Sequence, residues 1–410
     1  MIPDTDILAL SASLTEAGLN GTPEDAIVRD FCERANAIGI PVDRALVLID
    51  TLHPVYEGRL FRWGQDPSQP GSLEYGRTVF PEGVTLGEEE ERAAASWRAT
   101  PFFHLLTTGE SLLRLTEEDA SVFPAMRDYL MAGIKGGAAI VNRFGPGGVI
   151  GEMDAVYSSW MTKQAGGFTD AQLDALARLV PTLALAVKTI ALTRMTGTLM
   201  ETYLGRDAAR RVLSGRIMRG VADRIDAAIW FSDLRGFTRV TDSAPEQVIP
   251  LLNDYADVAV SAIHAHGGDV LKLIGDGILA IFTADDRAQA CGAALSAASD
   301  ARRAVAALNA RRAHDLLPVT DMYLGLHVGE VYYGNIGSLD RLDFTVVGPA
   351  VNETSRIATM CRSVEQPVLV SQAFAAVDGM RGRLVSIGRY ALRGVERPQE
   401  LFTLEPGGGE

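Results

Sequence analysis

The segment that most constrains the fold is AAIWFSDLRGFT, which runs from Ala227 to Thr238. Its first half is a strongly apolar run, typical of a buried strand. Asp233 follows that run almost directly, and Gly236 indicates a sharp turn three residues later. A carboxylate that leaves a buried strand at a turn is a candidate metal ligand, although Asp233 is equally suited to cap a helix.

A second carboxylate, Asp276, lies between two glycines in DVLKLIGDGILAIF, which predicts two short strands joined by a tight hairpin. If this hairpin neighbours the first strand, Asp233 and Asp276 lie at one sheet edge and repel each other unless cations separate them. Oxygen ligands without nearby His or Cys suit Mg²⁺ or Mn²⁺. Gly-Asp-Gly is also the ordinary sequence of a tight turn, so neither acid is decisive alone.

Two further groups of residues suit a phosphate and a sugar. Gly236, Phe237 and Thr238 offer backbone N–H groups to a phosphate at the start of the next helical segment. Asn352 and Arg356 stand four residues apart on a predicted helix, so their amide and guanidinium groups share a face. The alternative interpretation of this pair is an exposed polar helix face.

The second half of the chain, residues 216–405, alternates helices, strands and hairpins irregularly. This pattern predicts an α+β fold with a mainly antiparallel sheet. Its predicted strands include Met322 to His327 and, as a separate strand, Glu330 to Tyr333.

Four segments of this half resemble the class III nucleotidyl cyclases in order and spacing: FSDLRGFT, LKLIGDGILAIF, GLHVGEVYYGNIG and FTVVGPAVNETSRI. The resemblance covers about Ile225 to Leu404, just under half the chain. It implies a ferredoxin-like catalytic core that works as a head-to-tail homodimer, with active sites across the interface. It also implies that one subunit holds two divalent ions, Mg²⁺ or Mn²⁺, through Asp233, Asp276 and the backbone carbonyl of Leu234.

The same resemblance assigns the remaining residues to the other subunit. Lys272 and Thr345 match the base-recognition positions, while Asn352 and Arg356 match the residues that contact the ribose and the α-phosphoryl oxygens. Arg393 stands where the family usually has a phosphate-binding lysine; arginine keeps the charge but changes the geometry.

The base-recognition pair favours ATP as substrate. Adenine presents an acceptor at N1 and a donor at N6, and Lys272 donates whereas the Thr345 hydroxyl accepts. Guanine presents donors on that edge and requires an acid, which the family's guanylyl enzymes have in place of Lys272. The sequence therefore predicts an adenylate cyclase; the alternatives are a guanylate cyclase and a catalytically inactive dimerisation module with the same fold.

The first half of the chain predicts a regulatory domain over residues 1–168 and a connecting helix over residues 169–215. Thr169 is a candidate N-cap for this helix, and apolar residues recur after it with a helical period. The order of elements and the segment Gly166 to Val187 are similar to GAF-type sensor domains. This resemblance implies a small-molecule ligand or a partner at the N-terminal domain.

Composition excludes several other classes of protein. The net charge of −14 argues against nucleic-acid binding. The three cysteines are far apart, which argues against a zinc site or a disulfide framework and is typical of the reducing cytoplasm. Asp4 and Asp6 stand where a signal peptide needs positive charge. Arg178, Pro181 and Lys188 interrupt the longest apolar run, so we expect no membrane span.

Overall fold

The computed structural model describes residues 2–64, 70–76, 88–393 and 398–405. The chain divides into two compact units, Met1–Leu199 and Met200–Glu410. Each unit is built on its own sheet.

The N-terminal unit contains a six-stranded sheet in the order β3-β2-β1-β6-β5-β4, in which every neighbouring pair is antiparallel. Its strands are β1 Arg44–Asp50, β2 Tyr56–Trp63, β3 Ser72–Gly76, β4 Leu112–Leu115, β5 Gly136–Arg143 and β6 Ala155–Thr162. The helices that begin in this unit are α1 Asp4–Leu19, α2 Glu24–Ala37, α3 Glu88–Arg98, α4 Pro101–Thr108, α5 Ala125–Met131 and α6 Asp170–Leu204. The similarity of this unit to GAF-type sensors stays a prediction.

Helix α6 begins at the predicted N-cap. The Thr169 hydroxyl accepts a hydrogen bond from the Gln172 backbone N–H at 3.3 Å, and the Gln172 side chain accepts one from the Thr169 N–H at 2.8 Å. This reciprocal pair is a capping box with glutamine. The apolar face of the helix, from Leu173 to Met195, belongs to the same buried cluster as α1 and α2. Most of α6 is therefore a core helix of the N-terminal unit.

By length and composition α6 is also apolar enough to cross a membrane, although 56% of its most apolar window is buried inside the protein. Such a helix does not by itself establish a membrane span.

A buried carboxylate also connects α6 to the rest of the N-terminal unit. Glu24 of α2 accepts hydrogen bonds from Arg59 of β2 at 2.8 Å and from Arg194 of α6 at 3.1 Å.

The C-terminal unit has a sheet in the order β13-β14-β12-β10-β7-β9-β8, and β11 pairs with β10. Only the β10–β12 pair is parallel among the pairs described, so the predicted mainly antiparallel α+β fold is confirmed. Its strands are β7 Ala222–Leu234, β8 Asp269–Ile274, β9 Gly277–Phe282, β10 Met322–Gly337, β11 Leu342–Val347, β12 Val368–Ser371, β13 Leu384–Tyr390 and β14 Gln399–Leu404. Its helices are α7 Arg206–Leu213, α8 Phe237–Ser243, α9 Val248–Ala265, α10 Arg287–His314, α11 Pro349–Val364 and α12 Gln372–Ala375.

The central strand β7 is buried on both faces, as its apolar sequence predicts. Ala228 and Trp230 pack in a cluster with α9 and α10, whereas Ala227 and Ile229 belong to a separate cluster on the opposite face. The alternation follows from the two-residue period of a strand. This packing fixes the position at which β7 ends, and therefore the position of Asp233.

Strand β10 corrects one prediction, because it is a single strand of 16 residues rather than two. Two glycines of this strand, Gly325 and Gly329, serve helix packing. A Cβ atom on Gly325 would lie 2.6 Å from the carbonyl oxygen of Thr354, and one on Gly329 would lie 3.0 Å from the Ala350 Cβ. Both glycines let α11 pack directly against the strand backbone.

Candidate active site

The two predicted acids meet at one edge of the C-terminal sheet. Asp233 is the penultimate residue of β7, and Asp276 lies in the β8–β9 turn, where β9 pairs with β7. The backbone N–H of Leu234 lies 3.1 Å from Asp233 Oδ1 and 3.3 Å from Asp276 Oδ2, so both carboxylates share one donor. Gly277 permits this approach, since a Cβ there would lie 2.9 Å from the Ser232 carbonyl oxygen.

The electrostatics of this pair suit a divalent cation. Partial burial and the neighbouring Asp276 carboxylate raise the pKa of Asp233 to about 6, while the Arg362 guanidinium acts in the opposite direction. A cation between the two carboxylates relieves both the desolvation and the repulsion. No cluster of three or more His, Cys, Asp or Glu side chains suited to a metal occurs in the described part of the chain. A site of two carboxylates fits Mg²⁺, which usually keeps water and substrate phosphates as its other ligands.

Two concave regions adjoin the acids. On the α9 side, Asp233 and Asp276 line a small cavity of about 170 Å³ together with Asn253 and Tyr255. Beyond the end of β7, Gly236 has a φ of 68° and precedes the first residue of α8, Phe237. Gly236 and Thr238 line an open concavity of about 810 Å³, which Arg235, Arg239 and Arg362 also line.

The predicted base-recognition residues lie on two strands that approach each other. Lys272 of β8 forms an ion pair with Asp343 of β11, and Thr345 lies buried two residues further along β11. Lys272 and Asp343 line a cavity of about 890 Å³ together with His264 and other residues. Sequence reasoning missed Asp343; its position two residues from Thr345, on the same face of a strand, was the available signal.

The remaining predicted residues lie on α11 and between β13 and β14. Asn352 is exposed near the start of α11, and Arg356 is half-buried one turn later. Neither is among the residues that line the acid cavity. Arg362, whose positive charge lowers the pKa of Asp233, lies ten residues beyond Asn352 on the same helix, about 15 Å along its axis. Arg393 is exposed between β13 and β14.

Comparison with known proteins identifies the C-terminal unit. Residues 222–406 match the family model of the adenylate and guanylate cyclase catalytic domain. These residues therefore belong to that family, as the four sequence segments predicted.

The relatives found include the uncharacterized proteins Rv1319c and Rv1318c of Mycobacterium tuberculosis, each 32% identical over 206 residues. That match covers 50% of this chain and 37% of each relative, so the chain spans well under half the length of these proteins.

Similar solved structures include the adenylyl cyclase CyaB from P. aeruginosa, 24% identical with a TM-score of 0.42, covering 46% of this chain and 97% of that one. A guanylyl cyclase is 29% identical with a TM-score of 0.40, covering 46% and 96%. A bacterial light-regulated adenylyl cyclase is 18% identical with a TM-score of 0.48, covering 72% and 94%.

Proposed function

We propose that this protein is an adenylate cyclase that converts ATP to 3′,5′-cyclic AMP and pyrophosphate at a homodimer interface. The observation that carries the proposal is the pair Asp233 and Asp276, which share one backbone donor at a sheet edge inside a domain of the cyclase family. In this reaction the ribose O3′ forms a bond to the α-phosphorus, the bond to the pyrophosphate oxygen breaks, and the 3′-hydroxyl proton is lost.

The residues around the acids have distinct tasks in this proposal. Asp233, Asp276 and the Leu234 carbonyl would hold two divalent ions, which when bound supply Lewis acidity at the 3′-hydroxyl and at the phosphates. The backbone N–H groups of Gly236, Phe237 and Thr238 bind phosphate oxygens.

The groups on α11 act at the α-phosphorus. Arg356 neutralises charge that develops on the α-phosphoryl oxygens, because a guanidinium donates two parallel hydrogen bonds to a phosphate. Asn352 orients the ribose so that O3′ faces the phosphorus. Arg393 binds the outgoing phosphates.

A second copy of the chain completes each site. Arg362 is the residue of α11 whose charge lowers the pKa of Asp233. Asn352 lies about 15 Å from Arg362 along the axis of this helix, and an asparagine side chain is too short to span that distance. A head-to-tail dimer brings the α11 of one copy to the acids of the other, and its two-fold symmetry creates two equivalent sites.

The pair Lys272 and Asp343 supports ATP as the nucleotide. The ion pair holds the Lys272 ammonium beside Asp343 in the lining of their cavity. The ammonium then donates to adenine N1, and Thr345 accepts from the N6 amino group. Guanine N1–H meets a donor at Lys272, so GTP loses a hydrogen bond and leaves a polar group unpaired.

In this proposal the N-terminal unit and α6 form a cytoplasmic regulatory region. We assign residues 1–168 to a GAF-like sensor and residues 169–215 to the connection through which a bound ligand or partner changes how the two catalytic domains meet.

The test is a cyclase assay on the purified full chain with Mn²⁺ and either ATP or GTP, with products separated by chromatography. We expect cyclic AMP from the wild type and none from Asp276→Asn. Cyclic GMP as the main product would identify a guanylate cyclase, and no cyclic product with either nucleotide would identify an inactive module.

A further inference from the structure

The concavity beside the acids contains three arginines that the proposed mechanism does not use. Arg235, Arg239 and Arg362 line it together with Gly236 and Tyr323. All three arginines are exposed. Within the described ranges, no carboxylate lies at ion-pair distance from any of them, whereas Arg211, Arg287 and Arg312 of the same unit are paired. Two carboxylates, Asp321 and Glu365, also line the concavity, so its three guanidinium groups leave the lining with a net positive charge.

Arg235 is held in place by neighbouring residues. The Arg235 guanidinium lies 6.0 Å from the ring centroid of Tyr323, a cation–π contact with a buried ring. The backbone of Arg235 is fixed as well, because its N–H donates to the Asp321 carbonyl at 2.7 Å and its carbonyl accepts from the Thr320 hydroxyl. Such anchoring reduces the entropy lost when Arg235 binds an anion.

Arg362 connects this concavity to the acids. Arg362 lines the concavity together with Arg235 and Gly236, which follow Asp233 in the chain by two and three residues. Arg362 belongs to the last turn of α11, at the end remote from Asn352. An anion that extends from the acids over Gly236 and Thr238 therefore meets Arg362 and Arg235 of the same chain.

We propose that Arg362, together with Arg235, binds the pyrophosphoryl part of the nucleotide and does so in the same subunit that supplies Asp233 and Asp276. This inference rests on the proposed function and adds a phosphate-binding subsite to it. The outer phosphates carry several negative charges beside two carboxylates, so repulsion must be offset by cations on the opposite side. A guanidinium is suited to this task because it pairs with phosphate oxygens in a bidentate geometry.

The first experiment measures binding rather than turnover. Calorimetric titration of the full chain with inorganic pyrophosphate in the presence of Mn²⁺ is compared for wild type, Arg362→Gln and Arg362→Lys. We expect Arg362→Gln to weaken pyrophosphate binding at least about tenfold, the usual value of a charge-assisted hydrogen bond, and Arg362→Lys to recover part of the loss. AMP, which lacks the outer phosphates, is expected to bind equally to all three proteins.

The matched control is Arg303→Gln on α10, since Arg303 is also exposed but does not line the concavity. We expect it to bind pyrophosphate like the wild type. Equal pyrophosphate affinity of Arg362→Gln and wild type, with both folded by thermal melting, would overturn the inference. Equal weakening of AMP and pyrophosphate would overturn it too, because it indicates a general structural effect.

The second experiment determines which subunit uses Arg362. Chains carrying Asn352→Ala keep the acids, and chains carrying Asp233→Ala keep Asn352, so a mixture forms one complete site per heterodimer. Adding Arg362→Gln to the Asn352→Ala chain should raise KM for ATP at least about tenfold. Adding it to the Asp233→Ala chain should leave KM at the value of the parent mixture, because that copy of Arg362 adjoins the inactivated acids.

The reverse pattern, or no difference between the two mixtures, contradicts the assignment to the acid-bearing subunit. Failure of the parent mixture itself to regain activity contradicts the proposed shared site instead. In that case the pyrophosphate titrations still decide whether Arg362 binds phosphate.

Discussion

The contact between α11 and β10 gives a quantitative test of how the fold positions the site. A Cβ atom on Gly325 would lie 2.6 Å from the Thr354 carbonyl oxygen and 2.7 Å from the Ala358 nitrogen, both backbone atoms. Ordinary contacts begin near 3.4 Å, so Gly325→Ala must move α11 away from the strand by about 0.8 Å. Overpacking of this kind costs about 1–3 kcal/mol of unfolding free energy.

The displacement also acts on catalysis, because α11 carries Asn352 and Arg356. A misplacement of about 1 Å in positioning groups can reduce the rate about 100-fold. We therefore expect Gly325→Ala to lower kcat at least about tenfold while Asp233 and Asp276 stay intact. The assays are chemical denaturation followed by circular dichroism, and steady-state cyclase kinetics with ATP and Mn²⁺.

Gly292 on α10 provides the matched control, since a Cβ there meets only the Met380 Cε, at 3.9 Å. Alanine at this helical position should increase the free energy of unfolding by about 0.5–1 kcal/mol and leave the kinetics unchanged. The reasoning is refuted if Gly325→Ala unfolds at the wild-type denaturant concentration with wild-type kcat. It is also refuted if both alanine variants lose the same stability.

Two further predictions concern the base and the acids. Lys272→Glu combined with Thr345→Cys should shift the preference from ATP towards GTP, and an unchanged ratio of kcat/KM for the two nucleotides would refute the base assignment. The pKa of Asp233 is raised to about 6, so its ionisation destabilises the metal-free protein as pH rises from about 4 through 6. Asp233→Asn should therefore be more stable than wild type at pH 7 in EDTA and equally stable at pH 4. The expected difference at pH 7 is only about 1 kcal/mol, because solvent screens a carboxylate this exposed. Thermal melts in EDTA measure this difference, and a pH-independent difference would contradict it.

The sequence predicted the parts of the site that depend on local pattern. The apolar run before Asp233 and the Gly-Asp-Gly turn at Asp276 defined three strands, β7, β8 and β9, and the structure pairs β7 with β9 so that both acids reach one edge. The Thr169 N-cap of α6 also followed from local chemistry. In each case, residues within a few positions of one another determine the structure.

Features that depend on tertiary contacts were missed. Strand β10 was predicted as two strands, and the packing of α11 against Gly325 and Gly329 was not foreseen, because a sequence alone does not reveal which helix lies against a strand. The ion pair between Lys272 and Asp343 joins residues 71 positions apart. Arg362 was not singled out in the sequence, because only the fold brings it into one concavity with Arg235 and Gly236.

The central claim is that each active site draws its acids from one chain and its α11 groups from another. It is tested most directly by mixing inactive Asp233→Ala and Asn352→Ala chains under conditions that allow subunit exchange. Random pairing makes half of the dimers heterodimers with one of two sites complete, which predicts about a quarter of wild-type activity. Activity of the mixture that does not exceed the sum of the separate variants, with heterodimers demonstrated by differential tagging, would contradict the claim.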